Sequence, residues 1–406
     1  MHDFGRRRAR FRELLAGTPA ILPAARIVYR SRDTAFRFRQ DSDFLYLTGF
    51  PEPDAVAVFD GDAFHLFVRP RDPAREAWDG EREGVAGAAR FGATAWPIDR
   101  LEEFLSDSFR DADRLALPLG RSPRLDRWIE ELPRLRRPGA AAEIVDPGPI
   151  VAEMRLVKEE SEILALEAAA AISADAHAEA AREIRPGAGE WEIEASIEFH
   201  FRRRGAAGPA YPSIVGSGRN ATTLHYVDNA RRLEPGDLVL IDAGAEGGGY
   251  CADITRTHAV SGEWSPAQRA IRDVVAEAQA AAIGRCVAGA TFDDVQAAAH
   301  GVLAEGLVAL GVVEGPAARV LAGGLQKPYT LHRVSHWLGL DVHDPAATHP
   351  DGSPRVLAPG MVLTVEPGLY FREETPAPEA CRGIGIRIED DVLITAGEPR
   401  VLSRPA

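Results

Sequence analysis

Apolar and polar positions recur with two different periods along this chain of 406 residues, and the change of period divides it. In the first part, short apolar runs at 27–29, 44–50, 55–59 and 64–68 predict strands. Stretches at 5–15, 99–109 and 122–131 predict helices between and beyond them. That alternation is the mark of an α/β domain. The run Asp146-Pro147-Gly148-Pro149 interrupts both periods and predicts a boundary, with an N-terminal domain of residues 1–149 and a second domain of residues 150–406. Beyond it, residues 154–183, 191–204, 267–282 and 292–310 carry helical periodicity, while 211–216 and much of 360–395 have the strand habit. The second domain is therefore predicted as α+β, with helices packed over a mostly antiparallel sheet.

One apolar run organises this second domain. Residues 238–241 lead through Asp242 to Gly247, Gly248 and Gly249, and a second run leaves through Asp253 and Ile254, which predicts a hairpin. If the turn is centred on Gly247 and Gly248, Asp242 and Asp253 face each other with β-carbons roughly 5 Å apart. Two carboxylates that close repel unless a cation lies between them. Either they hold a divalent metal, or they cap the ends of a solvated hairpin. Val239, Leu240, Ile241 and Ile254 make strands too apolar for the surface, which favours a lined cavity where an unpaired carboxylate is costly.

Composition narrows the partners. The net charge of −14 argues against nucleic acid, which needs a basic field. No run of about 18 apolar residues is present, so no membrane partner is expected. The basic N-terminus leads into no apolar segment and reads as an amphipathic helix, not a signal peptide. Cys251, Cys286 and Cys381 are widely spaced and odd in number, which fits a reducing, cytoplasmic location without a disulfide framework. Residues 69–80 form a proline-punctuated stretch, predicted as a loop, in which Trp78 either tucks into its own domain or reaches a substrate.

Seven of the eleven histidines fall between residues 225 and 349. His332 and His336 have helical zinc-pair spacing, but no glutamate follows His332, and residues 334–344 alternate like a strand or extended loop. Glu366 closes an apolar strand that stops at Pro367, and Glu389 shares a strand face with Arg387. Taken singly, each glutamate also fits an ordinary surface position. Jointly, Asp242, Asp253, His336, Glu366 and Glu389 are a hard, oxygen-rich set suited to Mn²⁺, Co²⁺ or Zn²⁺. Five ligands exceed one catalytic zinc and fit two metals ~3.5 Å apart.

The order of these five residues, with His225 and His343 beside them, resembles the pita-bread metallopeptidases, and most closely the bacterial aminopeptidase P branch. Residues 38–50 resemble that branch's N-terminal domain. The resemblance implies an N-terminal α/β domain followed by a pita-bread catalytic domain. It also implies two divalent ions per chain, Mn²⁺ in first place with Zn²⁺ or Co²⁺ as alternatives. Asp242 would hold one ion, Asp253 and Glu389 would bridge, and His336 and Glu366 would hold the other. The activity implied is release of the N-terminal residue from peptides with proline second, by attack of a hydroxide bridging the two ions. Glu366, His225 and His343 would be catalytic, and His332, Trp78, Tyr370 and Arg387 would contact or frame the substrate. Homodimers or homotetramers are implied as well.

Two positions depart from the pattern: Arg333 stands where the family usually has glycine, and Gly352 and Ser353 fall where it often has an arginine, with Arg355 nearby. Both bear on peptide length and leave the metal set intact. A dipeptide-specific prolidase is the competing reading, separated by peptide length. An inactive pita-bread binding protein and a metal-free relative would lack ligands, and all five are present.

Overall fold

In a computed structural model, which describes residues 2–132 and 143–403, the chain separates into two units, Met1–Arg155 and Leu156–Ala406. The first is built on a six-stranded sheet in the order Thr94–Pro97, Ala63–Val68, Val56–Asp60, Ala20–Pro23, Arg114–Ala116, Glu143–Val145. The sheet is mixed. Ala20–Pro23, Val56–Asp60 and Ala63–Val68 pair antiparallel, and the outer pairs are parallel. Ile21, Val58 and Phe67 of the sheet pack against Leu101, Leu105 and Phe109 of helix Leu101–Phe109 and Leu125 and Trp128 of helix Pro123–Glu131.

Three predicted elements differ here. Residues 44–50 do not form a strand: helix Ser42–Thr48 occupies the position, because Asp41 caps the Phe44 N–H and Gly49, at φ 66°, closes the other end onto the Leu45 carbonyl. Capping chemistry overrides the β-propensity of the aromatic residues between. The 69–80 stretch contains a helix, Pro73–Asp79, capped by Asp72 with proline in its first turn. The run at 27–29 shifts to an exposed hairpin of Tyr29–Ser31 with Thr34–Ala35.

In the second unit every strand pairing among the described residues is antiparallel. Ile214–Ser217, Leu238–Asp242 and Thr255–Ala259 form one ladder, and Val362–Val365, Asp390–Leu393 and Arg400–Val401 another. An isolated bridge between Thr255 and Glu389 joins them. Val215, Val239 and Ile241 bury one face of the first ladder against Ile193, Ile197 and Phe201 of helix Glu190–Arg203. Helices Pro266–Ile283 and Phe292–Ala309 pack Ile271, Val275, Val295 and Leu303 against Trp337, Leu363, Val365 and Ile386. Among the described residues no helix is long and apolar enough to cross a membrane.

The helix predicted over 154–183 is broken. Gly148–Leu156 ends, and Glu160–Ala181 restarts behind a capping box of Glu159 with Glu162. Lys158 in the break pairs with Asp344 at 3.2 Å, both side chains about 1% exposed. Asp344 follows His343, so this ion pair holds the segment that carries that imidazole. Removing the lysine takes the counter-charge from a buried carboxylate, and breaking a buried pair in this way costs roughly 3–5 kcal/mol. Lys158→Ala is therefore expected to lower the urea midpoint sharply. A midpoint within experimental error of the wild type would show that the pair contributes nothing.

Candidate metal centre

The hairpin over 238–255 forms, with a register two residues from the predicted one. Asp242 pairs with Thr255 and Gly247 with Tyr250, so the turn is Gly248-Gly249, at φ 60° and 88°. Both turn residues occupy the left-handed region that this tight turn requires. A shift of two keeps every side chain on its predicted face. Asp253 consequently stays on the face of Asp242 as a diagonal neighbour, and Gly244 stands in the position opposite it. A β-carbon on Gly244 would lie 1.7 Å from the Ala252 carbonyl oxygen, so the close approach of the two chains requires glycine there.

Glu366 follows strand Val362–Val365, and Glu389 precedes strand Asp390–Leu393. His336 is extended, as its sequence predicted: its carbonyl accepts from Thr364 N–H at 2.9 Å, and Glu366 N–H donates to the Val334 carbonyl at 2.9 Å. These bonds run the histidine segment beside the Glu366 strand. All five candidate ligands line one cavity of about 500 Å³, together with His225, His332, His343 and Arg387. Donor atoms of Asp253, His336 and Glu389 lie within 4.8 Å of one another. His336 Nε2 is 3.4 Å from Asp253 and 3.6 Å from Glu366.

This much negative charge in a buried place has electrostatic consequences. Burial raises the Asp242 carboxyl, with Arg387 opposing and Asp253 adding to the rise. Burial and then Asp253 push Glu389 well above the carboxylate range, and burial lifts Glu366 to about 8. For His336, burial works against protonation, but the bond to Asp253 and the charge of Glu366 hold the imidazole at about 9. A cluster that retains protons this strongly is one that divalent cations would relieve. The donor chemistry, carboxylates with one imidazole, fits such ions.

Around the five, a hydrogen-bonded frame sets the geometry. Arg387 forms an ion pair with Asp242, donates to Thr255 Oγ1 at 3.0 Å, and donates to the Tyr370 hydroxyl at 2.8 Å. Tyr370 Oη lies 2.7 Å from His332 Nε2, and His332 Nδ1 lies 2.7 Å from the Arg333 carbonyl. Tyr370 therefore donates to Nε2 and Nδ1–H donates onward. The ring stays neutral because burial, then Arg387, lowers its pKa to about 3. Tyr370 is 0% exposed, so it holds His332 in place instead of opening onto the cavity. His343 stands edge-on to His336, ring centroids 4.4 Å apart, and burial followed by the neighbouring His336 charge lowers its pKa. His225 lines the cavity from a segment organised by Glu190, a fully buried carboxylate that accepts from Ser217, Asn220, Tyr226 and the Arg231 N–H.

Three contributors escaped the sequence reading. The Tyr211 hydroxyl is shared between Asp242, at 2.7 Å, and Asp253, at 2.5 Å. Burial and then Asp242 raise its pKa well above 10, which keeps it a neutral donor. Thr255 donates to Glu389 at 2.7 Å, and the buried Asp391 carboxylate receives the Asp253 N–H at 3.2 Å. Strand parity alone could have found Thr255, which shares a face with Asp253. Of the predicted site residues, Trp78 belongs to the first unit. It is 86% exposed on helix Pro73–Asp79, so it does not tuck into its own domain.

Comparison with known proteins agrees with this geometry. Residues 165–396 match the profile of Metallopeptidase family M24, and residues 4–116 match that of the Aminopeptidase P, N-terminal domain. The Xaa-Pro aminopeptidase of Escherichia coli is 41% identical over 96% of this chain and 91% of its own length. Among solved structures, an aminopeptidase of Pseudomonas aeruginosa superposes with a TM-score of 0.94 at 42% identity, covering 98% of this chain and 94% of its own. A zinc-substituted E. coli aminopeptidase P in complex with product superposes with a TM-score of 0.93 at 40% identity over 98% and 94%.

Proposed function

The chain belongs to metallopeptidase family M24, with an aminopeptidase P N-terminal domain ahead of the M24 domain, and from that premise we infer that it is a metal-dependent Xaa-Pro aminopeptidase. It releases the N-terminal residue from peptides whose second residue is proline. The observation that carries this reading is the convergence of Asp242, Asp253, His336, Glu366 and Glu389 in one buried cavity. We assign the domains as residues 1–149 and 150–406, the second a pita-bread fold on a mostly antiparallel sheet. The protein is read as cytoplasmic, acting as a homodimer or homotetramer on peptides, without nucleic acid or membrane.

Two divalent ions are proposed, Mn²⁺ first with Zn²⁺ or Co²⁺ as alternatives. Asp242 would hold one, Asp253 and Glu389 would be shared, and His336 and Glu366 would hold the other. When bound, such ions polarise a carbonyl and lower the pKa of water towards neutrality. The side chains do the rest. The Glu366 carboxylate takes a proton from the attacking water and returns it to the proline nitrogen, which as a tertiary amide carries none of its own. His225 and His343 donate N–H to the oxygen of the scissile carbonyl as it gains charge. His332, oriented by Tyr370, borders the bound peptide, and Arg387 braces Asp242.

Hydrolysis of Ala-Pro against Ala-Pro-Pro-Ala, with and without Mn²⁺, tests the assignment. The tetrapeptide is expected to be cut at least as well as the dipeptide, and only with metal. Cleavage of the dipeptide alone would move the protein to the prolidase reading. Trp78 is proposed to contact the proline ring, since its indole is exposed and engages nothing that buries it. Loss of a ring contact worth ~1 kcal/mol predicts a several-fold higher KM for Xaa-Pro peptides in Trp78→Ala, with kcat nearly unchanged. Equal KM values for the two proteins would remove Trp78 from the substrate site.

A further inference from the structure

Charged side chains of both signs line the cavity. Asp242, Asp253, Glu366 and Glu389 line it together with His336, which the carboxyl groups of Asp253 and Glu366 engage, and two arginines, Arg387 and Arg333, line it as well. Arg387 is 3% exposed and committed to Asp242, Thr255 and Tyr370. Arg333 differs on each count. Its side chain is exposed, and among the described residues its guanidinium meets only the Thr348 hydroxyl, at 3.4 Å. Arg355, the other arginine of this region, donates to the Ala347 carbonyl and does not line the cavity. The cavity therefore holds one cation that no carboxylate of the protein neutralises among the described residues.

A peptide carries an ammonium at one end and a carboxylate at the other. With the four carboxylates committed to the divalent ions proposed above, Arg333 is the charge left over in the cavity among the described residues, and the C-terminal carboxylate of a peptide is its complement. Position agrees with length. His332 Nδ1 is 3.3 Å from Glu366, and Arg333, the next residue along the chain, lines the same cavity with an exposed side chain. The carboxylate of Xaa-Pro-Yaa lies two residues, roughly 7 Å, beyond the scissile carbon. A guanidinium also matches a carboxylate in two parallel hydrogen bonds, which a threonine hydroxyl at long range does not satisfy.

We propose that Arg333 is a specificity-determining residue that binds the free C-terminal carboxylate of short substrates, biasing the enzyme towards tripeptides over chain-internal or amidated sequences. The proposal rests on the peptidase reading above. Its test compares kcat/KM for Ala-Pro-Ala and Ala-Pro-Ala-amide, using the Mn²⁺-loaded full chain and its Arg333→Gln and Arg333→Lys variants. The wild type is expected to prefer the free acid by about fivefold, the upper range for an ion pair at a solvent-exposed site. That preference should shrink in high salt. Arg333→Gln is expected to bring the ratio to near one, chiefly by slowing the acid, and Arg333→Lys to retain part of it. On a peptide several residues longer, acid and amide should be cut alike by all three proteins. An acid-to-amide ratio that is the same in wild type and Arg333→Gln, with hydrolysis intact, overturns the role of Arg333 alone. Failure of the wild type to cut either peptide overturns the peptidase reading and this proposal with it.

Discussion

Asp253→Ala and Glu389→Ala are each expected to abolish peptide hydrolysis and to lower bound metal from about two ions per chain, the stoichiometry of a bridged site. Both carboxylates sit in the group whose donor atoms lie within 4.8 Å of one another. Each is flanked by other carboxylates whose protons burial already retains. The metal-free fold should tolerate these substitutions. Deleting one member of a crowded acidic cluster relieves repulsion, and the Thr255–Glu389 bridge rests on backbone contacts that alanine keeps. Thermal unfolding with chelator should therefore be close to wild type, while the stabilisation gained on adding Mn²⁺ should vanish, since only a ligand that binds the native state raises its stability. Metal analysis, activity and melting together separate a lost ligand from a lost fold. Full activity in either variant with metal present would sink the assignment of two ions.

His343→Ala has the second largest expected effect, a fall in kcat of about 10²-fold or more with metal content unchanged. His343 lines the cavity and stands edge-on to His336, yet it lies outside the group of close donor atoms. Burial and the His336 charge lower its pKa. A neutral ring can donate one N–H to an oxygen that is gaining charge, and that interaction strengthens only as the reaction proceeds, so kcat is the constant that should move. Its position depends on Asp344 and Lys158 behind it, which ties the stability prediction for Lys158 to this one. Loss of metal from His343→Ala would instead make the imidazole a ligand.

The sequence by itself determined the elements whose causes are local. Helices Pro266–Ile283 and Phe292–Ala309 follow from apolar periodicity and their capping boxes, and the extended state of the His336 segment follows from its alternation. It also brought forward the set of five candidate ligands, through their joint chemistry and the family resemblance, since either glutamate taken singly also fits an ordinary surface position. Where two local causes compete, pattern reading chose wrongly: aromatic residues over 44–50 argued for a strand, and the Asp41 and Gly49 caps made a helix. Tertiary structure decided the rest. The register of the hairpin turned on which glycine pair made the turn, and the answer, Gly248-Gly249, came with the requirement that the chain pass Ala252 at Gly244. Tyr211, Thr255 and Asp391 reach the centre from positions 31 to 138 residues away from their partners. No spacing rule links such residues, because side chains so distant in sequence meet only when separate ladders and helices pack. The charge of the cavity was decided at the same level, since a carboxylate has its ordinary affinity for protons until burial removes the water around it.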